Sequence, residues 1–381
     1  MDNKMASSEG LFMQSIRRSS LTRRQFVAAA AGLALAGLHG RAEAKEVAWL
    51  ADAQRAPQQI PAGGPKLSAL LVDQQGAAIT TRAAWEAQRE RVLQAWQKFL
   101  GELDAKRVAT PKLKVLAEEE VEGVLRQRVQ YDVEPGLATE AYLLRPAAKP
   151  DAKRPGVVVF HSTVATSIHQ PAGVAGEPAK AFGLQLAKQG FVTFCPRNYL
   201  WPQNEGIAAK QEAERFLKRQ PKRLGMAKML YDGQVALDIL AAQADVDPER
   251  LGAVGHSLGA KEVLYLAAFD ERVKATVSSE GGIGIGFSNW HDAWYLGPQV
   301  KEPGFALEHH ELLALVAPRA FLLIGGDSAD GDQSWPFIEA ALPVYRLYGE
   351  PARLGLYNHK QGHSVPPEVV TRTAEWCQAY L

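Results

Sequence analysis

The chain has 381 residues, a formal net charge of +1, 46% hydrophobic residues by a broad count and 22% charged residues. This profile excludes collagen-like, coiled-coil and wholly disordered chains. Near-neutral charge gives no field for holding nucleic acid or an anionic membrane, and a chain this long buries a core that needs neither disulfides nor metals to stand.

The charge is unevenly placed. Residues 1–44 hold six Lys/Arg against three acidic residues, +3, which leaves 37 basic and 39 acidic residues, −2, from position 45 onward. Ser20-Leu21-Thr22-Arg23-Arg24-Gln25-Phe26-Val27 precedes an Ala/Gly/Leu-rich run over 28–38, and Ala42-Glu43-Ala44 offers small residues at both positions a signal peptidase reads. A basic stretch, a short apolar stretch and an A-x-A site make a secretory leader. The Arg pair before Phe26 resembles a bacterial twin-arginine signal. The apolar run of 11 residues is too short for a bilayer span, which takes roughly 20. The expectation is cleavage after Ala44, the twin-arginine translocase as export partner, and a periplasmic or secreted product with no stable membrane anchor. Such export carries folded proteins, and with no dinucleotide fingerprint, P-loop or Cys/His metal spacing here, no cofactor and no metal are expected.

Residues 45–80, rich in Ala, Pro and Gly, read as a linker or N-terminal wrap. Thr81-Arg82-Ala83-Ala84-Trp85 opens a helix to Leu100, with Trp85, Val92, Trp96, Phe99 and Leu100 at helical spacing. Val121–Val133 and Leu137–Leu144 alternate as strands around the turn Glu134-Pro135-Gly136. Then the pattern changes. Gly156–His161 is a continuous apolar run, as suits a strand covered on both faces. Comparable runs recur at Phe191–Cys195, Leu251–Val254, Val273–Val277, Ala320–Ile324 and Arg353–Tyr357. Helical stretches separate them at Ala179–Lys188, Leu224–Ala242, Leu258–Ala268, Trp335–Tyr348 and Pro367–Tyr380. This alternation predicts one α/β domain over 81–381, a mostly parallel sheet with an antiparallel N-terminal hairpin and helices on both faces. Cys195 and Cys377 read as free, packed thiols.

The chemistry gathers at strand ends. Gly255-His256-Ser257-Leu258-Gly259 lies between a strand and an apolar helix, the context of a nucleophile elbow. The strained turn presents Ser257 at a helix N-terminus, the flanking glycines remove side chains that would clash, and the Leu258 N–H points where an oxyanion forms. Gly362-His363-Ser364 follows the last strand, so His363 is the expected base, with His359 the competitor. His309 and His310 do not form H-E-x-x-H and read as capping or surface residues. The acid has two sources. Asp330 lies in Gly325-Gly326-Asp327-Ser328-Ala329-Asp330-Gly331-Asp332 and is the first choice; Glu280, in Ser278-Ser279-Glu280-Gly281-Gly282, is the alternative, with Asp327 and Asp332 behind both. The second oxyanion donor is expected from the backbone of Ser162 or Thr163, and His161 reads as structural. Trp290, Trp294 and Tyr295 on one loop, with Trp201 on another, are the candidate substrate contacts. Lys261 reads as a solvated helix residue.

Residues 80–381 resemble the dienelactone-hydrolase-related and acetylxylan-esterase-like branch of the α/β-hydrolases. The resemblance rests on the Gly255–Gly259 elbow, on Ala267-Ala268-Phe269-Asp270-Glu271-Arg272-Val273-Lys274-Ala275, on His310-Glu311-Leu312-Leu313-Ala314-Leu315-Val316-Ala317-Pro318-Arg319 and on Gly362–Pro367. It implies hydrolysis of carboxylic esters without a cofactor, on a small-molecule or carbohydrate ester. Dienelactone hydrolases use a Cys nucleophile, where this chain has Ser257. Ser278–Gly282 is similar to glucuronoyl esterases, which can carry the acid on that Glu; an Arg follows their Ser, where Leu258 stands here. The reading is an exported serine esterase acting through Ser257, His363 and an acid, with acyl or methyl esters on carbohydrate as substrates. The alternatives are a prolyl-oligopeptidase-type serine peptidase and a non-catalytic binding protein on a hydrolase scaffold.

Overall fold

Apolar runs that alternate nothing along their length must be covered on both sides, and the sheet shows how. The computed structural model describes residues 46–101, 111–202 and 208–381; the leader over 1–44 lies outside them. Its strands are β1 (Lys114–Val121), β2 (Val124–Glu134), β3 (Leu137–Pro146), β4 (Arg154–Phe160), β5 (Val192–Pro196), β6 (Val246–His256), β7 (Val273–Ser279), β8 (Ala320–Gly325) and β9 (Leu354–Asn358). They form one nine-stranded sheet in the order β1-β2-β3-β5-β4-β6-β7-β8-β9. The first three strands and β5 pair antiparallel in sequence along the sheet, and β5-β4-β6-β7-β8-β9 run parallel. This is the α/β-hydrolase arrangement anticipated from the sequence, with one more antiparallel strand, β1, than the hairpin expected.

Side chains of a parallel strand point alternately to two cores. From β4, Val158 and Phe160 enter one core while Val157 and Val159 enter the other; from β8, Phe321 and Leu323 part from Leu322 and Ile324 in the same way. The helices are α1 (Leu50–Ala53), α2 (Arg82–Leu100), α3 (Phe182–Lys188), α4 (Ala209–Arg219), α5 (Gly225–Ala241), α6 (Leu258–Phe269), α7 (His310–Val316), α8 (Trp335–Arg346) and α9 (Pro367–Tyr380). Helices α2, α5, α6, α7 and α8 supply the first core; α3 and α9 supply the second. Burying this two-sided apolar surface is the main force holding the fold, at about 25 cal/mol per Å² removed from water.

Helix α2 begins as its sequence says: the Thr81 hydroxyl accepts a hydrogen bond from the Ala84 N–H, which satisfies one of the free donors of the first turn. Trp85 and Trp96 are fully buried beneath it. The segment 46–80 touches the sheet domain at particular points. Val47, Leu50, Ala53, Leu70 and Ile79 are buried, and Gln54 donates to the backbone oxygens of Ala352 and Leu354. Cys195 and Cys377 are free and buried; burial pushes both thiols up, Cys377 to about 12.

Candidate active site

Every loop that leaves the C-terminal end of a parallel strand opens onto one edge of the sheet, and ligands of open α/β sheets bind there. Strand β6 delivers Ser257 to that edge. Ser257 has φ 60° and ψ −114°, outside the regions an L residue ordinarily occupies. The neighbouring glycines show why the turn is so tight. A Cβ at Gly255 would collide with the Gly259 carbonyl, and one at Gly259 would lie 2.5 Å from the Phe160 carbonyl oxygen. Only glycine at both ends lets β4, β6 and α6 close around the serine. The Ser257 N–H is tied to the Ser279 carbonyl at 2.8 Å. The Leu258 N–H, at the start of α6, has no acceptor among the described residues, so it stays free for a developing anion.

His363 arrives on the loop after β9. Its Nδ1 lies 3.1 Å from Glu280 Oε2; the His363 side chain is 43% exposed and that of Glu280 fully buried. Glu280 has φ 56°, a left-handed turn just past β7. Its other contacts are backbone donors of the neighbouring loop: Gly326 N–H to Oε1 and Ala329 N–H to Oε2, the latter at 2.8 Å. Asp330, the first choice from the sequence, occupies a different place. It is fully buried and accepts from the Gly282 N–H at 2.7 Å, the Ile283 N–H at 2.7 Å and the Ser334 hydroxyl at 2.8 Å. Its carboxylate faces the β7 loop, not the imidazole. The carboxylate against His363 is therefore Glu280. Burial, with Glu280's charge adding to it, raises the Asp330 pKa despite those three donors. Asp327 and Asp332 lie farther out, both bonded to the Asn358 side chain. His359 packs at the end of β9, with its N–H on the Gly325 carbonyl.

Two histidines at the ends of β4 and β6 have their pKa values lowered by burial. His256 sits with its ring 4.8 Å from that of His363 and its Nδ1 3.0 Å from Ser279 Oγ; burial, then the neighbouring His363, lowers its pKa to about 3. His161 is also buried, with its pKa lowered to about 4. Its Nδ1 lies 2.8 Å from the Ser162 carbonyl, and its Nε2 accepts from the Asn198 N–H at 3.2 Å. It binds the β4 loop to the β5 loop, the structural role its sequence position suggested.

On the oxyanion side the two backbone donors differ. The Ser162 N–H already donates to Gln170 Oε1 at 3.0 Å, which removes Ser162 from that role. Thr163 is exposed, and its N–H has no acceptor among the described residues.

Most of the aromatic candidates are internal. Trp201 is buried, donates to the Val164 carbonyl at 2.9 Å and meets the His161 ring edge-on at 4.6 Å. Trp290 is buried and donates to the Gly282 carbonyl at 2.7 Å; Tyr295 is buried against it at 5.7 Å. These three pack the loops rather than face a ligand; Trp294 is half-buried.

Two further expectations reverse. Lys261 is buried, not solvated. Its ammonium donates to the Gly281 carbonyl and, at 2.8 Å, to Ser288 Oγ, and sits 4.2 Å from the Trp290 ring centre. Burial lowers its pKa to about 7, against the pull of Asp330 and Asp292. His309 holds the N-cap position of α7 without a side-chain cap, and both His309 and His310 are fully buried rather than on the surface. His309 Nδ1 lies 2.8 Å from the Ile283 carbonyl, its Nε2 lies 2.8 Å from the Tyr265 hydroxyl, and its ring stacks on Trp96. The missed signal is α6 itself: Leu258–Phe269 is apolar all round, and such a helix is buried on every side, so a lysine in it is interior. Among the described residues, no group of three or more His, Cys, Asp or Glu is placed to hold a metal ion.

Comparison with known proteins places this geometry. The dienelactone hydrolase family profile matches residues 139–301. The hydrolase-named YtaP of Bacillus subtilis (strain 168) is 27% identical over 152 residues, 38% of this chain and 49% of that protein. The carbohydrate esterase MZ0003, from an unknown prokaryotic organism, is 26% identical over 134 residues, 30% of this chain and 31% of its own. The chain thus spans at most about half the length of these curated relatives. A glucuronoyl esterase from Solibacter usitatus superposes with a TM-score of 0.65 at 18% identity, covering 84% of this chain and 99% of the other. Sheet order, elbow and superposition agree on the fold: the chain has the α/β-hydrolase fold, and its residues 139–301 are similar to the dienelactone hydrolase family.

Proposed function

We propose that the protein is a serine hydrolase of carboxylic esters, with Ser257 as nucleophile, His363 as base and Glu280 as acid. The observation that carries the reading is the Glu280–His363 contact at 3.1 Å, at the same sheet edge as a strained serine on a glycine-flanked elbow. Glu280 fixes the imidazole tautomer and stabilises its charged form, leaving Nε2 to take the Ser257 proton. The serine oxygen attacks the ester carbonyl, and the Leu258 and Thr163 N–H groups receive the negative charge of the tetrahedral intermediate. His363 then protonates the leaving alkoxide, and later activates the water that releases the acid.

The substrate in this reading is an acyl or methyl ester on carbohydrate. The names of the similar carbohydrate and glucuronoyl esterases support it. Export by the twin-arginine route, with cleavage after Ala44, completes the proposal; it rests on Arg23-Arg24 and the A-x-A site. No helix among the described residues is long and apolar enough to cross a membrane.

The test is turnover of a panel of acetylated and methyl-esterified sugars, alongside p-nitrophenyl acetate, by mature protein and by Ser257→Ala. The reading expects ester turnover that the substitution abolishes. Turnover of peptides alone, or none dependent on Ser257, sinks it.

A further inference from the structure

We propose that Asp330 is a positioning residue for the Glu280–His363 pair, acting through the backbone of the turn that carries Glu280. The inference rests on the triad reading above. It starts from a reciprocity between two loops. The β7 loop supplies Glu280, whose carboxylate accepts from Gly326 and Ala329 of the β8 loop. The β8 loop supplies Asp330, whose carboxylate accepts from Gly282 and Ile283 of the β7 loop. Each loop's carboxylate caps the free N–H groups of the other, so neither loop holds its shape alone.

The clasp matters because Glu280 does not rest in an ordinary conformation. Its φ is 56°, which L residues reach only when neighbours hold them there. Gly282, two residues on, has φ 77°. Asp330 binds the two N–H groups that follow this turn. It is itself fixed at three points. Ser334 donates to its Oδ1 at 2.8 Å, and its own carbonyl accepts from Gly326 at 3.1 Å and Asp327 at 2.9 Å. Gly325 and Gly326 let the loops meet: a Cβ at Gly325 would lie 2.5 Å from the Gly331 nitrogen, and one at Gly326 would collide with the Gly362 carbonyl beside His363. Both Asp330 oxygens are spent on the β7 loop and Ser334, so its influence on His363 runs through Glu280.

The experiment compares wild type, Asp330→Asn, Glu280→Gln and the double variant on p-nitrophenyl acetate. Functional Ser257 is counted in each sample by covalent titration with a fluorophosphonate, which removes any misfolded fraction from kcat. Asparagine keeps one acceptor and sets an N–H against an N–H, so the turn loosens while its volume is kept. Expected per titrated site are a fall of about 10⁴-fold in kcat for Glu280→Gln and of roughly 10–100-fold for Asp330→Asn with KM little changed. Because Asp330 acts through Glu280, the double variant is no slower than Glu280→Gln alone. Ser334→Ala, which leaves the carboxylate and removes one donor, is the gentler variant and lowers kcat by roughly 2–5-fold. A second readout needs no substrate: the downfield NMR proton of the His363 Nδ1–H···Glu280 bond is lost or moved in Asp330→Asn, as in Glu280→Gln, and unchanged in Asp332→Asn.

Three results overturn the proposal. One is an unchanged proton resonance in Asp330→Asn. Another is multiplication of the two losses in the double variant. The third is near-normal turnover in Glu280→Gln with near-total loss in Asp330→Asn, which would make Asp330 itself the acid. Absence of any Ser257-dependent turnover in wild type would instead sink the esterase reading, and the proton resonance would still decide the role of Asp330.

Discussion

The two loop systems beside Ser257 are built in opposite ways. On the acid side, most backbone groups of the turn Glu280–Ile283 have partners. The Glu280 N–H goes to the Ile324 carbonyl, the Gly281 and Gly282 carbonyls accept from Lys261 and Trp290, the Gly282 and Ile283 N–H groups go to Asp330, and the Ile283 carbonyl faces His309. On the oxyanion side, Gln170 takes the Ser162 N–H, while the Thr163 N–H is left open. The proposed mechanism accounts for the difference. A carboxylate that orients an imidazole has to keep one geometry, and paired buried polar groups rigidify the loops that carry them. A donor that waits for a charge forming in the transition state has to be free beforehand.

The comparison breaks first, if it breaks, at the acid. Glu280→Gln should lower kcat by about 10⁴-fold, because the wrong imidazole tautomer is then favoured, and steady-state kinetics with a folded protein by circular dichroism would show it. Next comes the elbow that separates the two sides. Gly255→Ala drives a Cβ into the Gly259 carbonyl and should cost about 3 kcal/mol or more of stability, read by denaturant unfolding. On the open side, Thr163→Pro deletes the waiting N–H and should lower kcat by roughly 10²–10³-fold; Gln170→Leu, which touches only the occupied donor, should change it far less. An equal loss in both would erase the distinction drawn between Ser162 and Thr163.

The smallest effect concerns the acid side and pH. Burial lowers the folded pKa of Lys261 to about 7 from the ordinary lysine value of 10.5. Between those values the unfolded chain binds more protons than the folded one, so stability rises with pH across that window and falls as pH drops from 10.5 toward 7. The slope from this one group is at most about 1.4 kcal/mol per pH unit. The groups facing its ammonium are Asp330 and Asp292, with Ser288, Trp290 and Tyr295 around it. Thermal unfolding of wild type and Lys261→Met from pH 7 to 9.5 should diverge, with wild type gaining on the variant as pH rises. Parallel curves would mean that the lysine is not held in a dry, charged site.

Much of this arrangement was legible from residue order. The continuous apolar runs gave the parallel strands, Thr81 gave the start of α2, and Gly255–Gly259 marked the elbow. Among the elements that escaped, two did so for plain physical reasons. Strand β1 is a sheet edge whose residues are mostly exposed, so it shows no alternation against a core. Helix α4 buries only Ala213 and Phe216, too few to announce a face. At the site, distance past the strand puts Asp330 ahead of Glu280, and the structure reverses that order. Both follow strands that end at the same edge, and only the three-dimensional crossing of their loops decides which carboxylate meets His363. Lys261 and His309 were misread because charged and polar types usually mark a surface. Their burial depends on partners as far along the chain as Gly281, Ser288 and Ile283.

The most direct test of the central claim is mass spectrometry of the enzyme quenched during turnover of p-nitrophenyl acetate. The triad predicts an acetyl group on the peptide containing Ser257, absent in Ser257→Ala and accumulating on a slower time scale in Glu280→Gln. Ester turnover with no acetyl adduct at Ser257, or an adduct whose kinetics ignore Glu280, would contradict it.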